Sequence, residues 1–269
     1  MPKYSHVISE SLGFYVKNIQ RGLSKEFEKA VSLLKDSGYS GIEMPLMLDI
    51  DVFRIKLKEI LESCDMSVSG FTTDHYHSVL NYSLTSSNYA LMAKTIDKIM
   101  LGLEVSNDFS APLIIGLLKG RIVDEKSWIL LQSSLKILDK KARDTNTHIL
   151  LEPLNRYEAD HLNTISQVYD FIRSLGLENT GILIDSFHMN IEEAKYKDVI
   201  EYAKDKISYV RLADNNRGLL GSGHIDFVRI IESLKKAMYT GWFSIGCNSK
   251  LSAAEEAKAS MEFLKELLE

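Results

Sequence analysis

Eight short runs of apolar, β-forming residues alternate with longer segments of helical periodicity along this 269-residue chain. The runs cover residues 6–10, 41–46, 67–72, 112–118, 148–154, 180–186, 207–213 and 242–246. Between the first two, Phe27, Val31 and Leu34 recur at the spacing of one helix face. Eight strand–helix units predict an α/β fold, a closed parallel (β/α)8 (TIM) barrel, which typically has roughly 250 residues. An open doubly wound sheet is the second choice, because it leaves exposed edges and usually has fewer strands.

The chain is predicted to form one domain over residues 1–269. It has only four prolines, and no Pro-, Gly- or Ser-rich linker interrupts the alternation of strands and helices. The hydrophobic fraction of 45% and the charged fraction of 26% are ordinary for a globular protein. The net charge of −5 and the lack of a basic stripe argue against nucleic acid as a partner.

Membrane and export signals are missing from the sequence pattern. No apolar run approaches the length of a membrane span, and the first residues lack the apolar segment of a signal peptide. The two cysteines, Cys64 and Cys247, lie far apart and in no metal-binding spacing, which weakly favours a reducing compartment. We therefore expect a cytoplasmic protein with no membrane partner.

Polar residues stand at the carboxyl ends of several predicted strands, where barrel enzymes place their chemistry. Glu152 ends strand five, Asp185 strand six, Arg211 strand seven and Gly246 strand eight, while strand two contributes Glu43. A carboxylate that emerges from an apolar strand is costly to bury without a partner. Two such acids on neighbouring strands therefore predict a cation between them, either a metal ion or a basic side chain.

Four ordered motifs give the second half of the chain a specific resemblance. They are EPLNRYE (152–158), DSFHMNIEE (185–193), ADNNR (213–217) and GSGHIDF (221–227). Together they resemble the ketose 3-epimerases that act on tagatose and psicose, members of the xylose isomerase-like barrel superfamily. Upstream of about residue 148, only the strand–helix rhythm and the GLLKGR loop (116–121) are similar.

The resemblance implies roles for five residues. In that family a divalent metal, usually manganese or a similar ion, is held by Glu, Asp, His and Glu from strands five to eight, and two carboxylates move a proton on opposite faces of the carbon beside a ketone. Glu152 matches the first metal ligand and the catalytic acid–base residue, and Asp185 matches the second ligand. Glu158, His188 and Arg217 match residues that bind the sugar.

The chain departs from this pattern at the other two ligands, where Arg211 stands in place of His and Gly246 in place of Glu. Arginine has no lone pair for a metal and glycine has no side chain, so we expect either no metal or a weakly bound divalent ion. Glu152 and Asp185 with Arg211 carry the same net charge as three acids, a neutral histidine and a divalent ion. We therefore hypothesise that the Arg211 guanidinium occupies the metal position and pairs with Asp185, and with Glu152 if its fork reaches both acids.

Two functions remain open at this point. The first is a sugar isomerase or epimerase that moves a proton beside a carbonyl, with Glu152 able to serve a one-face isomerisation alone. The second is a non-catalytic sugar-binding member of the same family. Arg211 fits a structural role and a substrate contact equally well. The resemblance further implies a small-molecule sugar as partner and a homo-oligomer.

Other candidates are weaker. An endonuclease of the same barrel superfamily would need a histidine-rich cluster of three metals, which the seven histidines do not form. His75 and His77, in a predicted loop over residues 73–85, could reach over the pocket or simply belong to the surface. Cys247 is expected to be a small buried residue rather than a substitute metal ligand.

Overall fold

The computed structural model describes residues 2–268. Its nine parallel strands are Lys3–Ser9 (β1), Phe14–Tyr15 (β2), Gly41–Pro45 (β3), Ser67–Thr72 (β4), Leu113–Ile115 (β5), Ile149–Leu151 (β6), Thr180–Asp185 (β7), Ile207–Leu212 (β8) and Trp242–Ile245 (β9). Eight of them follow one another around a ring, and β1 closes it by pairing with β9, with Lys3 opposite Trp242 and His6 opposite Ile245. This closure confirms the predicted (β/α)8 barrel and rules out the open sheet.

The helices lie outside the barrel. They are Lys25–Asp36 (α1), Ile50–Ser63 (α2), Asp74–Leu80 (α3), Tyr89–Asp108 (α4), Glu125–Asp144 (α5), Ile165–Leu175 (α6), Ser186–Glu192 (α7), Tyr196–Ala203 (α8), Phe227–Lys236 (α9) and Ala253–Leu268 (α10). Side-chain caps start several of them: Ser24 accepts a hydrogen bond from the backbone N–H of Phe27, and Thr164 forms a capping box with Gln167. Within residues 2–268, none of the helices is both long and apolar enough to cross a lipid bilayer.

The predicted and observed elements differ in three places. The predicted strand over 112–118 is only Leu113–Ile115, because the chain then turns into a single 3-10 turn at Leu117–Lys119. The predicted loop over 73–85 contains the helix α3, which begins with Asp74 in its first turn. The pattern also missed β2, a two-residue strand that pairs with Ile8 and Ser9 at the carboxyl end of β1.

The barrel interior is closed at its lower end by a small apolar layer. Ile114, Leu150, Leu183 and Tyr209 form this buried cluster, which is separate from the large core between strands and helices. Above it, the Tyr209 hydroxyl lies 2.7 Å from Ser69 Oγ and 3.1 Å from Glu43 Oε2. The interior therefore changes from apolar to polar toward the carboxyl ends of the strands.

The end of α6 offers a clean test of the backbone geometry. Gly176 has φ of +65° and no atom within 4 Å of the place of a Cβ, so only its conformation disfavours a side chain. We expect Gly176→Ala to lower the free energy of unfolding by about 1 kcal/mol. Gly176→Asn should cost less, because asparagine tolerates the left-handed region. Urea unfolding of both variants measures this, and equal losses would contradict it.

Candidate functional site

A cavity of about 520 Å³ opens at the carboxyl ends of the barrel strands. Its wall includes all of the predicted site residues except Asp185, which lies buried beneath it: Glu152, Glu158, His188, Arg211 and Arg217. Glu10 from the segment after β1, Glu43 from β3 and Asp74 from the start of α3 also line the wall. The structure therefore brings the sequence-predicted residues together at one barrel mouth.

Arg211 lies at the centre of this cluster and is only 4% exposed. Its Nη1 donates to Glu152 Oε1 at 2.5 Å and lies 3.5 Å from Asp185 Oδ2. Its Nη2 and Nε donate to Glu43 Oε1 at 2.5 and 3.1 Å. One guanidinium thus contacts acids from three different strands, including both acids with which it was expected to pair.

The charge on Arg211 is fixed by these neighbours. Burial by itself lowers the pKa of Arg211, but the carboxylates of Glu152, Glu43 and Asp185 outweigh it and hold the pKa well above its usual value. The pairing with Glu43 was not predicted. The sequence signal for this pairing was a glutamate inside the apolar run GIEMP. The structure buries this glutamate fully, and a buried acid requires a cation.

Glu152 is 1% exposed and uses its two carboxylate oxygens differently. Oε1 accepts the hydrogen bond from Arg211, whereas Oε2 is buried and has no hydrogen-bond partner among the described residues. Burial raises the pKa of Glu152 to about 8, and the attraction of Arg211 opposes this rise only in part. Glu152 therefore offers one anchored oxygen and one free oxygen with raised basicity toward the cavity.

Asp185 also forms an ion pair with a second arginine, which lies in the loop after β8. Arg217 Nη1 donates to Asp185 Oδ2 at 2.6 Å, and its guanidinium lies 4.1 Å above the Phe187 ring. Burial tends to raise the pKa of Asp185, but Arg217, His188 and Arg211 together lower it to about 2. Asp185 is consequently a fixed anion that holds both arginines in place. The Arg217 side chain, 20% exposed, is the more accessible of the two cations.

His188 and Glu158 lie on the same side of the mouth. His188 Nε2 is 3.1 Å from Arg217 Nη2, and its Nδ1 is 2.8 Å from the Asn155 amide nitrogen. Burial lowers the pKa of His188 to about 3, so the ring is neutral at physiological pH. Glu158 Oε1 accepts from Asn155 Nδ2 at 2.9 Å. These two side chains supply a neutral and an anionic hydrogen-bonding group to the cavity wall.

A divalent ion has three potential ligands here, but they do not fit one in this arrangement. Glu152, Asp185 and His188 each bring one ligand atom within 4.8 Å of the others. However, Glu152 Oε1, Asp185 Oδ2 and His188 Nε2 already face the guanidinium nitrogens of Arg211 and Arg217. An ion at their centre would meet the positive charges of two guanidinium groups.

Sequence reasoning did not single out two further charged groups beside Glu152. Lys119, in the GLLKGR loop, is 1% exposed and its Nζ donates to the Glu152 carbonyl oxygen at 2.5 Å. Asp74, at the start of α3, lines the cavity and accepts the backbone N–H of Leu117 at 2.7 Å. The sequence could have indicated both residues, because Asp74 follows β4 and Lys119 follows β5, at the end of the barrel where enzymes place their chemistry.

The structure distinguishes the remaining candidates, His75, His77 and Cys247, by their surroundings. His75 lines the cavity, whereas His77 Nδ1 lies 2.9 Å from the Tyr82 carbonyl within its own loop. Cys247 is buried, and its burial raises the pKa of its thiol, so the neutral thiol predominates.

Gly246 and Arg211 are sterically linked. A Cβ at position 246 would lie 2.8 Å from Arg211 Cδ and 3.2 Å from Leu12 Cδ2, and Arg211 cannot yield because its nitrogens are all bound to acids. We expect Gly246→Ala to lower the free energy of unfolding by about 1–3 kcal/mol.

The same substitution in an Arg211→His background, where the clash is absent, should cost clearly less. A double-mutant cycle of denaturant unfolding measures the coupling between the two positions. Strict additivity of the two changes would show that the side chain of Arg211 does not need the space at position 246.

Comparisons with known proteins agree with the barrel fold. The model of a family described as a xylose isomerase-like TIM barrel matches residues 31–267. An L-ribulose 3-epimerase of Mesorhizobium japonicum is 26% identical over 223 residues, which cover 80% of this chain and 73% of that protein. A 3-dehydro-D-guloside 4-epimerase of Escherichia coli is 33% identical over 135 residues, about half of each chain. The crystal structure of a D-psicose 3-epimerase with D-tagatose, from Clostridium cellulolyticum H10, superposes with a TM-score of 0.82 at 20% identity and covers 99% of both chains.

Proposed function

Because the chain belongs to the xylose isomerase-like TIM barrel family, we propose that its barrel mouth binds a ketose or related keto sugar and transfers a proton at the carbon beside the carbonyl. In this proposal the Arg211 guanidinium stands where the resembled epimerases hold a metal ion. Two of the relatives are a 3-epimerase and a 4-epimerase, whose reactions share chemistry at a carbon next to a ketone, and this favours the proposed reaction class over others.

One observation carries the proposal most directly: the buried, unpartnered Oε2 of Glu152 in a cavity that two arginines also line. A general base needs an available lone pair and a pKa near the working pH. Glu152 has both, because Arg211 engages only Oε1 and because burial raises the pKa to about 8.

Proton removal beside a ketone produces an enediolate, whose negative oxygen must be stabilised. Arg217 can reach this oxygen because it is partly exposed to the cavity. Arg211 contributes a fixed positive charge and holds Glu152 in position, although a delocalised single charge polarises a carbonyl less than a divalent ion does. His188 and Glu158 then bind hydroxyl groups and orient the sugar.

The replacement of the metal is supported by charge and by space. Arg211 contacts Glu152 and Asp185, the two acids that match metal ligands in the resemblance, and adds Glu43 as a third partner. The missing side chain at position 246 leaves the room that the aliphatic part of Arg211 fills. A site of this kind needs no bound ion for charge balance.

The activity can be tested directly on L-ribulose, D-tagatose and D-psicose in deuterated buffer, with and without added manganese. We expect deuterium to appear at the carbon beside the carbonyl, detected by NMR, without a requirement for manganese. Glu152→Gln should slow this exchange by about 10²–10⁴-fold, because it removes the base. Glu59→Gln, on the exposed face of α2, is the matched control. Sugar binding with no exchange in the wild-type protein would instead support a non-catalytic sugar-binding function.

Metal content provides a second test. Protein purified from cells grown with excess manganese and then dialysed should contain much less than one equivalent of metal. Mass spectrometry measures this metal content. The double variant Arg211→His with Gly246→Glu should gain about one equivalent, because it restores two ligands and removes a guanidinium. Tight stoichiometric metal in the wild-type protein would refute the guanidinium-for-metal replacement.

A further inference from the structure

Two carboxylates meet at the same edge of the cavity, on either side of Gly116. A Cβ added at Gly116 would lie 2.8 Å from Asp74 Oδ1 and 3.2 Å from Glu152 Oε2. Both side chains line the cavity, and the absence of a side chain at position 116 is what allows them to approach the same point. Asp74 has no counterpart among the roles that the resemblance implies.

We propose that Asp74 is the second acid–base group of this site and that, with Glu152, it catalyses a one-face exchange between a ketose and the corresponding aldose. The inference rests on the proposed function and adds to it a residue and a reaction outcome. Glu152 transfers the proton between the two carbons, and Asp74 transfers the proton between the two neighbouring oxygens.

The free oxygens of the pair support this assignment. Glu152 Oε2 is fully buried and lacks a hydrogen-bond partner among the described residues. Asp74 Oδ1 is anchored by the backbone N–H of Leu117, and Oδ2 has no hydrogen bond within residues 2–268. Beneath them, Lys119 is anchored to the Glu152 carbonyl oxygen and interacts electrostatically with both acids. A buried cation at this place allows two acids to remain close together.

Among residues 2–268, the other acids of the cavity wall do not form a second pair like that of Asp74 and Glu152. Gly116 follows β5, whereas Gly246 follows β9, so the two glycines lie across the barrel from each other. Of the other acids that line the cavity, Glu43 is bound to Arg211, and Glu158, whose Oε1 accepts from Asn155 Nδ2, follows β6 on the same side as Glu152. Glu10 accepts the backbone N–H of Asn18 in a hydrogen bond exposed to solvent, whereas the hydrogen bond of Asp74 is part-buried beside Glu152. A reaction that inverts a carbon needs a free acid or base on each face, whereas proton transfer along one face needs them on one side only.

The proton balance closes with one proton shared by the pair, and the reactive form is the one that carries it on Asp74 and leaves Glu152 ionised. Glu152 takes a proton from the hydroxyl-bearing carbon, the C–H electrons form a C=C bond, and the carbonyl oxygen takes the proton of Asp74. In the resulting enediol, Asp74 removes the proton of the other oxygen, which becomes the new carbonyl. The C=C electrons then take back the proton from Glu152 at the former carbonyl carbon. Both acids return to their starting states.

The test compares two readouts on L-ribulose, D-tagatose and D-psicose in deuterated buffer: deuterium at the carbon beside the carbonyl, and the products separated by chromatography. Wild-type protein should form aldose rather than the 3-epimer. Asp74→Asn should lower kcat for aldose formation by about a hundredfold or more while Glu152 still supports carbon exchange. Gly116→Ala should lower it too, because its Cβ displaces the Asp74 carboxylate. Asp97→Asn, on the exposed face of α4, is the matched control.

The outcomes separate this inference from the proposed function. Exchange with only 3-epimer as product, or loss of activity in Glu10→Gln but not in Asp74→Asn, overturns the inference and leaves the proposed function standing. No exchange on any of these sugars overturns both. Aldose formation that falls in Asp74→Asn and Gly116→Ala but not in Asp97→Asn supports the assignment of Asp74.

Discussion

The mouth of this barrel depends on one buried guanidinium surrounded by carboxylates from three strands. Arg211 contacts Glu43, Glu152 and Asp185, all of which are essentially inaccessible to water. Removal of such a cation would leave several buried anions without compensation, which is far more costly than the loss of a surface ion pair. The polar layer of the barrel interior therefore exists as a unit, with the Tyr209 hydroxyl beneath Glu43 as its lower hydrogen-bonding contact.

Two glycines determine the shape of the cavity by what they lack. At Gly246 the missing side chain makes room for the aliphatic part of Arg211, and at Gly116 it makes room for the carboxylates of Asp74 and Glu152. The first glycine thus allows a cation to lie in the barrel, and the second allows two acids to meet beside it. Neither effect can be seen from the charged residues alone, because each depends on the missing side chain of a glycine.

The site contains one acid that stays ionised and one acid that can take up and release a proton near neutral pH. Arg217, Arg211 and His188 together lower the pKa of Asp185 to about 2 against the effect of its burial, which makes it a permanent anchor. The pKa of Glu152 is raised to about 8 by burial, and one of its oxygens stays free. Such a division between an anchoring acid and a basic one is what acid–base chemistry at neutral pH requires.

The sequence by itself determined the barrel, the order of its strands and the convergence of Glu152, Asp185, Arg211 and Gly246, because strand periodicity and parallel topology place strand ends at one face. It did not determine that Glu43 pairs with Arg211, that residues 74–80 form a helix, or that Asp74 and Lys119 lie beside Glu152. Those features depend on distances across the barrel and on which side chains leave space for others. Only the tertiary structure decides the contacts among them, since residues that lie 33 to 168 positions apart meet there without any periodic trace in a single chain.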